Sequence, residues 1–119
     1  SFFKKIDISS NQKYFDIIID DGSHKLDDIL NALRFFFKTI KPNGFYIIED
    51  YRHMNFFKHL RVLKEPNFDK IISYLKRKKI FNSKFWKLDF QKQLFNDIKQ
   101  IKNYNGLSKI SSIVFIKKN

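Results

Sequence analysis

The sequence has no cysteine. Disulfides and cysteine-ligated metal sites are excluded, and a reducing, cytoplasmic setting is expected. Glycine is scarce: only Gly22, Gly44 and Gly106 occur, each in a turn context. A glycine-rich loop that would bring backbone close to a nucleotide is therefore missing. Arginine supplies only four of the 24 basic residues. It is the side chain that reads bases and phosphates best, so a net charge of +12 does not make nucleic acid an expected partner. No apolar run approaches the length needed to cross a bilayer. The chain begins at Ser1 without a methionine, and the expectation is that its true N-terminus lies elsewhere.

What is present is enough for a core. Apolar residues make up 43% of the 119 residues and aromatics 18%, so one folded domain is expected. Lys, Ile, Asn and Phe are over-used together, which is a general compositional bias and not a basic patch. The dense basic run at 76–79 closes a helix-like segment, where positive charge suits the helix dipole. Against that background the acids stand out. The chain has two glutamates, and one is Glu49. Asp20, Asp21, Asp27, Asp28, Glu49 and Asp50, six of the twelve acidic residues, fall between positions 20 and 50.

Residues 15–52 organise the chain. The run at 14–19 is apolar on both faces, as in a central strand of a parallel sheet. Asp21, Gly22 and Ser23 stop it. A helix is predicted from residue 25 or 26 to 39, with Leu26, Ile29, Leu30, Leu33, Phe36, Phe37 and Ile40 on one face. Ser23 or Asp27 would cap its start, and Pro42, Asn43 and Gly44 would end it. A second strand follows at 45–48. Strand, helix and strand make a right-handed βαβ unit, whose parallel strands end on the same rim of the sheet. Asp20 and Asp21 are thereby carried to the rim that holds Glu49 and Asp50, where open α/β sheets bind ligands.

The remaining pattern is less regular. Residues 1–14 read as a short helix or loop with Phe2, Phe3 and Ile6 inward. Helices are expected over 53–64 and 68–80, and 85–95 reads either as a third helix or as part of a loop covering the rim. Alternation at 98–102, a turn at 103–106 and a strand at 110–116 give an antiparallel pair closing the sheet edge.

Carboxylates crowded on one rim repel, and a hard cation such as Mg²⁺ would relieve them. Asp21, Glu49 and Asp50 are the candidate ligands; helix capping and lysine pairing are the alternative use of the same acids. Asp20 either points into the sheet or bonds the neighbouring loop backbone. His24 lies at the helix start beside these acids, placed to act as a general base or simply as a polar helix-start residue. His53 and His59 have no such context and read as surface residues.

The strings FDIIIDDGSH and KPNGFYIIED resemble the second half of a Rossmann-like S-adenosylmethionine-dependent methyltransferase. More narrowly, they are similar to the Mg²⁺-dependent sugar O-methyltransferases of the macrocin and mycinamicin type and to the related cephalosporin hydroxylase-like family. The resemblance implies an α/β fold that is the C-terminal half of the methyltransferase sheet: parallel strands with a helical crossover, ending in an antiparallel hairpin. It implies that Asp21, Glu49 and Asp50 bind the metal and that His24 is the base. The spacing of 28 positions between Asp21 and Glu49 agrees with the family pattern. The implied reaction is S-adenosylmethionine-dependent, Mg²⁺-assisted methylation of a sugar or glycosylated small-molecule hydroxyl.

The glycine-rich loop and the ribose-binding acid of that family have no counterpart here. Residues 1–119 are therefore expected to be a partial methyltransferase domain, the C-terminal part without the cofactor-binding part, a fragment with weak or no cofactor binding. Tyr51, Arg52, Phe85 and Trp86 are candidate acceptor contacts, each with ordinary packing as the alternative. A homo-oligomer is compatible with this reading. The competing functions are a basic, non-catalytic binding module on a degenerate methyltransferase fold, and a hydroxylase or phosphoryl-transfer enzyme, for which no phosphate loop or His-rich site is present.

Overall fold

The structure, a computed structural model, describes residues 13–119. The expectation for residues 1–12 lies outside the described residues. The chain order is β1 (Phe15–Asp20), α1 (Leu26–Phe36), β2 (Ile40–Glu49), α2 (Phe68–Arg77), α3 (Leu88–Asp97), β3 (Ile98–Asn105) and β4 (Ser112–Lys118), with 3-10 turns at Phe37–Thr39, His53–Asn55 and Lys58–Leu60. The four strands form one sheet in the order β1-β2-β4-β3. β1 and β2 are parallel, and β4 is antiparallel to both of its neighbours.

α1 forms because Leu26, Ile29, Leu30 and Leu33 make one buried stripe, while Asp27 and Asp28 sit in its first turn, where they suit the dipole. The Ser23 hydroxyl accepts a hydrogen bond from the Lys25 amide and donates one to Asp28. The helix ends at Phe36 and tightens into the 3-10 turn, so it stops short of the predicted residue 39 as an α-helix. Pro42, Asn43 and Gly44 do not end the helix. They lie within β2, where the pairing jumps from Phe15 opposite Ile40 to Ile17 opposite Phe45. A Cβ on Gly44 would lie 2.5 Å from the Asp16 carbonyl oxygen and 2.6 Å from Ile40 Cγ2, so only glycine fits that bulge.

The core lies on the helical side of the sheet. Tyr46, Ile48, Val114 and Ile116 face α1, α2 and the 54–60 segment through Leu30, Leu33, Phe68, Ile71, Met54 and Leu60. A central β1 covered on both faces is not what the described residues show. Among the described residues β1 is an edge strand, and Ile17 and Ile19 are 55% and 60% exposed. The predicted helix over 53–64 is two 3-10 turns, and the third helix begins at Leu88. The strand after it runs on to Asn105, so the hairpin turn starts later than predicted.

At the far end of the sheet Lys118 is buried. Its ammonium donates to the Phe37 carbonyl at 3.1 Å and stands 4.7 Å from the Phe37 ring centroid. Burial, reinforced by the nearby Lys13 charge, pushes its pKa down from 10.5 to about 8. A lysine lowered in the folded state binds fewer protons there than in the unfolded chain once pH passes the folded value. Stability is therefore expected to rise with pH from about 8 to about 9.5, by roughly 2 kcal/mol. Urea denaturation across that range checks this, and Lys118→Met should flatten the rise.

Candidate metal centre

The parallel register sets the site. Asp20 pairs with Ile48, so the next residues, Asp21 and Glu49, leave their strands level with each other on one rim. Asp20 itself turns to the loop: its Oδ1 accepts the Gly22 amide at 3.1 Å. Burial holds its carboxyl above the usual range, partly offset by that hydrogen bond.

Beyond β2 the backbone reverses at Asp50, which has a left-handed φ of 58°. Ser112, at the start of β4, pins the reversal. The Asp50 amide donates to the Ser112 carbonyl at 2.7 Å, the Ser112 amide donates to Asp50 Oδ1 at 3.4 Å, and the Arg52 amide donates to Ser112 Oγ at 3.2 Å. His24 is likewise left-handed, with φ 64°. Left-handed backbone at these two non-glycine residues costs about 1–3 kcal/mol each; Asn43, Lys64 and Lys78, away from the site, share it.

The polar groups of the rim converge. A carboxylate oxygen of Asp21, one of Asp50 and a ring nitrogen of His24 all lie within 4.8 Å of one another. His24 Nε2 is 3.8 Å from Asp21 Oδ1. Glu49, the third expected ligand, is not among the three groups that converge; its carboxyl is held above the usual range chiefly by the Asp21 charge, with desolvation and Asp50 adding to it and His24 opposing. A carboxyl whose charged form is opposed by its neighbours would be relieved by a cation bound among them. Their oxygens suit a hard divalent ion, and the imidazole is close enough to serve as a base or a fourth donor.

The other sequence candidates are placed differently. Tyr51 is 1% exposed, and its hydroxyl accepts from Asn103 while its ring meets Phe68 at 5.8 Å. Its expected contact with an acceptor is corrected: it is a core residue. Trp86 is also buried, its indole N–H donating to the Leu30 carbonyl at 3.0 Å. Phe85 packs partly against the same core, and Arg52 stays half-buried on the rim. Two contributors were missed. Ser112 joins the site only through β2–β4 pairing, which no local pattern signals. His53, expected at the surface, is half-buried with its ring 4.5 Å from that of His24. Its position three residues after Asp50, on a turn leaving the rim, was the available signal.

The described residues form part of a Rossmann-like methyltransferase fold. Over 87% of the chain the structure matches the MycE methyltransferase from the mycinamycin biosynthetic pathway, in complex with Mg and SAH, with a TM-score of 0.55 and 18% identity; the match covers 27% of that chain. The same enzyme in complex with Mg, SAH and mycinamycin VI matches equally well, at 19% identity and 26% of its length. Two curated proteins are similar over 36 residues, 30% of this chain. One, 50% identical, is the 8-demethyl-8-(2-methoxy-alpha-L-rhamnosyl)-tetracenomycin-C 3'-O-methyltransferase of Streptomyces olivaceus. The other, 44% identical, is the demethylmacrocin O-methyltransferase of Streptomyces fradiae. The chain spans 9% of the length of each of these relatives. No protein-family model matches. No helix among the described residues is long and apolar enough to cross a membrane.

Proposed function

We propose that these residues are the metal-and-base part of an S-adenosylmethionine-dependent, Mg²⁺-assisted O-methyltransferase acting on a hydroxyl of a sugar or glycosylated small molecule. The observation that carries this is the convergence of Asp21, Asp50 and His24 within 4.8 Å on the rim of the parallel β1–β2 pair. The names of the sugar O-methyltransferase relatives, and the Mg, SAH and mycinamycin VI of the MycE complex, support the choice of chemistry.

Asp21 and Asp50, with Glu49 beside them, would hold the ion. When bound there, Mg²⁺ supplies a Lewis acid that lowers the pKa of the acceptor hydroxyl. His24 takes that proton, and the Asp21 carboxylate, 3.8 Å from Nε2, stabilises the imidazolium that forms. The acceptor oxygen bonds to the methyl carbon as the carbon–sulfur bond of the sulfonium breaks, leaving S-adenosylhomocysteine. The groups that grip the cofactor lie outside these residues, since the chain carries no glycine-rich loop. A cytoplasmic setting and a diffusible acceptor accompany this function; the absence of cysteine supports the setting.

The test is methyl transfer by the whole protein to glycosylated acceptors bearing adjacent hydroxyls, with Mg²⁺ and with EDTA. Activity lost in EDTA and restored by Mg²⁺ is expected. Methylation unchanged by EDTA would remove the metal role. No transfer to any such acceptor, together with polyanion binding that falls steeply with salt, would favour the non-catalytic binding module instead.

A further inference from the structure

We infer that His53 is a positioning residue for His24: its ring, packed edge-on at a centroid distance of 4.5 Å and an interplanar angle of 62°, sets the orientation of the imidazole facing Asp21. The inference rests on the proposed role of His24 as base.

The backbone at His24 does not fix the ring by itself. A side chain at such a loop position samples several staggered wells unless neighbours select one. Asp21 attracts the ring but stands 3.8 Å away, beyond the range in which a directional hydrogen bond would hold it. Asp50 also lies within 4.8 Å of the ring nitrogen, but the contact that has a preferred mutual geometry is the edge-to-face one with the ring of His53.

His53, in contrast, stands on a firm base. It opens the 3-10 turn His53–Asn55. Its amide donates to the Asp50 carbonyl at 3.3 Å, and its own carbonyl accepts from the amides of Phe56 and Phe57, both at 3.0 Å. The next residue, Met54, is fully buried. The Arg61 guanidinium clamps the turn from outside, donating to the Met54 carbonyl at 2.6 Å and the Asn55 carbonyl at 2.7 Å. Phe57 backs the His53 ring edge-on at 6.4 Å. A pinned turn thus presents a backed ring to the base, whose side chain is only 21% exposed.

The test compares His53→Ala with His53→Phe. Three-bond couplings across χ1 of His24, measured by NMR on the metal-free chain, should report one rotamer in the parent and in His53→Phe, and averaging in His53→Ala. In the whole protein kcat should fall by about 10- to 100-fold in His53→Ala with acceptor KM unchanged, and His53→Phe should restore it. A single His24 rotamer in His53→Ala overturns the inference, as does averaging in His53→Phe. Averaging in His53→Ala with undiminished kcat supports the positioning and overturns the base role of His24. Should His53→Ala fail to fold, His53→Gln, which keeps bulk without a ring, carries the same comparison.

Discussion

Asp21→Asn is expected to lower metal-dependent methyl transfer in the whole protein by about 100- to 1,000-fold, the loss of several kcal/mol of charge stabilisation. Asp21 is the hub of the site. It lies against His24 at 3.8 Å, its charge acts on Glu49, and it is within reach of the Asp50 carboxylate. Asparagine keeps its shape and removes its charge, so the cation loses a ligand charge and His24 loses its anionic partner. The substitution also acts on Glu49. The Asp21 charge is the main reason the Glu49 carboxyl titrates above its usual range. Cation binding favours the deprotonated Glu49 carboxyl, so in the parent affinity rises with pH through that raised range. In Asp21→Asn that dependence should flatten. The metal-free variant should denature no earlier than the parent, because one repelling carboxylate has gone. Mn²⁺ binding at two pH values, kcat at saturating Mg²⁺ and a urea titration check the three statements. An undiminished kcat would remove Asp21 from the site.

The part of the site legible in the sequence is the part that chirality and periodicity dictate. A continuous apolar strand, an amphipathic helix and another apolar strand leave a single favoured connection, and that connection places Asp21 beside Glu49 whatever the rest of the chain does. Asp50 follows by adjacency. The apolar run at Ile17–Ile19 predicts cover on both faces, while among the described residues β1 is an edge strand: an apolar face does not say which strand or layer lies next to it. His53 was hidden by a different limit. The direction of the chain after Glu49 depends on the left-handed backbone of Asp50 and on hydrogen bonds to Ser112, sixty-two positions away. No local pattern carries that. Tyr51 and Trp86 stand in loop-like sequence and resemble ligand contacts for that reason, yet packing draws both into the core.

Trp86→Ala is expected to be the most damaging single change to stability. Trp86 lies between α2 and α3 and is 1% exposed. Its ring meets Phe90 at 5.5 Å and Phe81 at 6.0 Å, and its indole N–H reaches across to the Leu30 carbonyl on α1. The buried Gln91 fastens the same segment: its amide donates to the carbonyls of Phe81 at 2.9 Å and Trp86 at 2.8 Å, and its oxygen accepts the Phe81 amide at 3.1 Å. Removing the indole leaves a cavity that this hydrogen-bonded frame cannot readily collapse into. The cost should be about 3–5 kcal/mol, against a typical total of about 5–15 kcal/mol for a small domain. Trp86→Phe separates packing from polarity. It keeps most of the apolar contact and loses only the indole donor, and the Leu30 carbonyl retains its helical partner, so the cost should fall to about 1–2 kcal/mol. Urea midpoints for the two variants test this. Equal midpoints for Trp86→Ala and the parent would mean that the indole is not a core anchor. Because α1 starts two residues after His24, loosening its far side also loosens the base. In the whole protein, the activity of Trp86→Ala should therefore decline with temperature in step with its own unfolding curve, and not at the temperature where the parent fails.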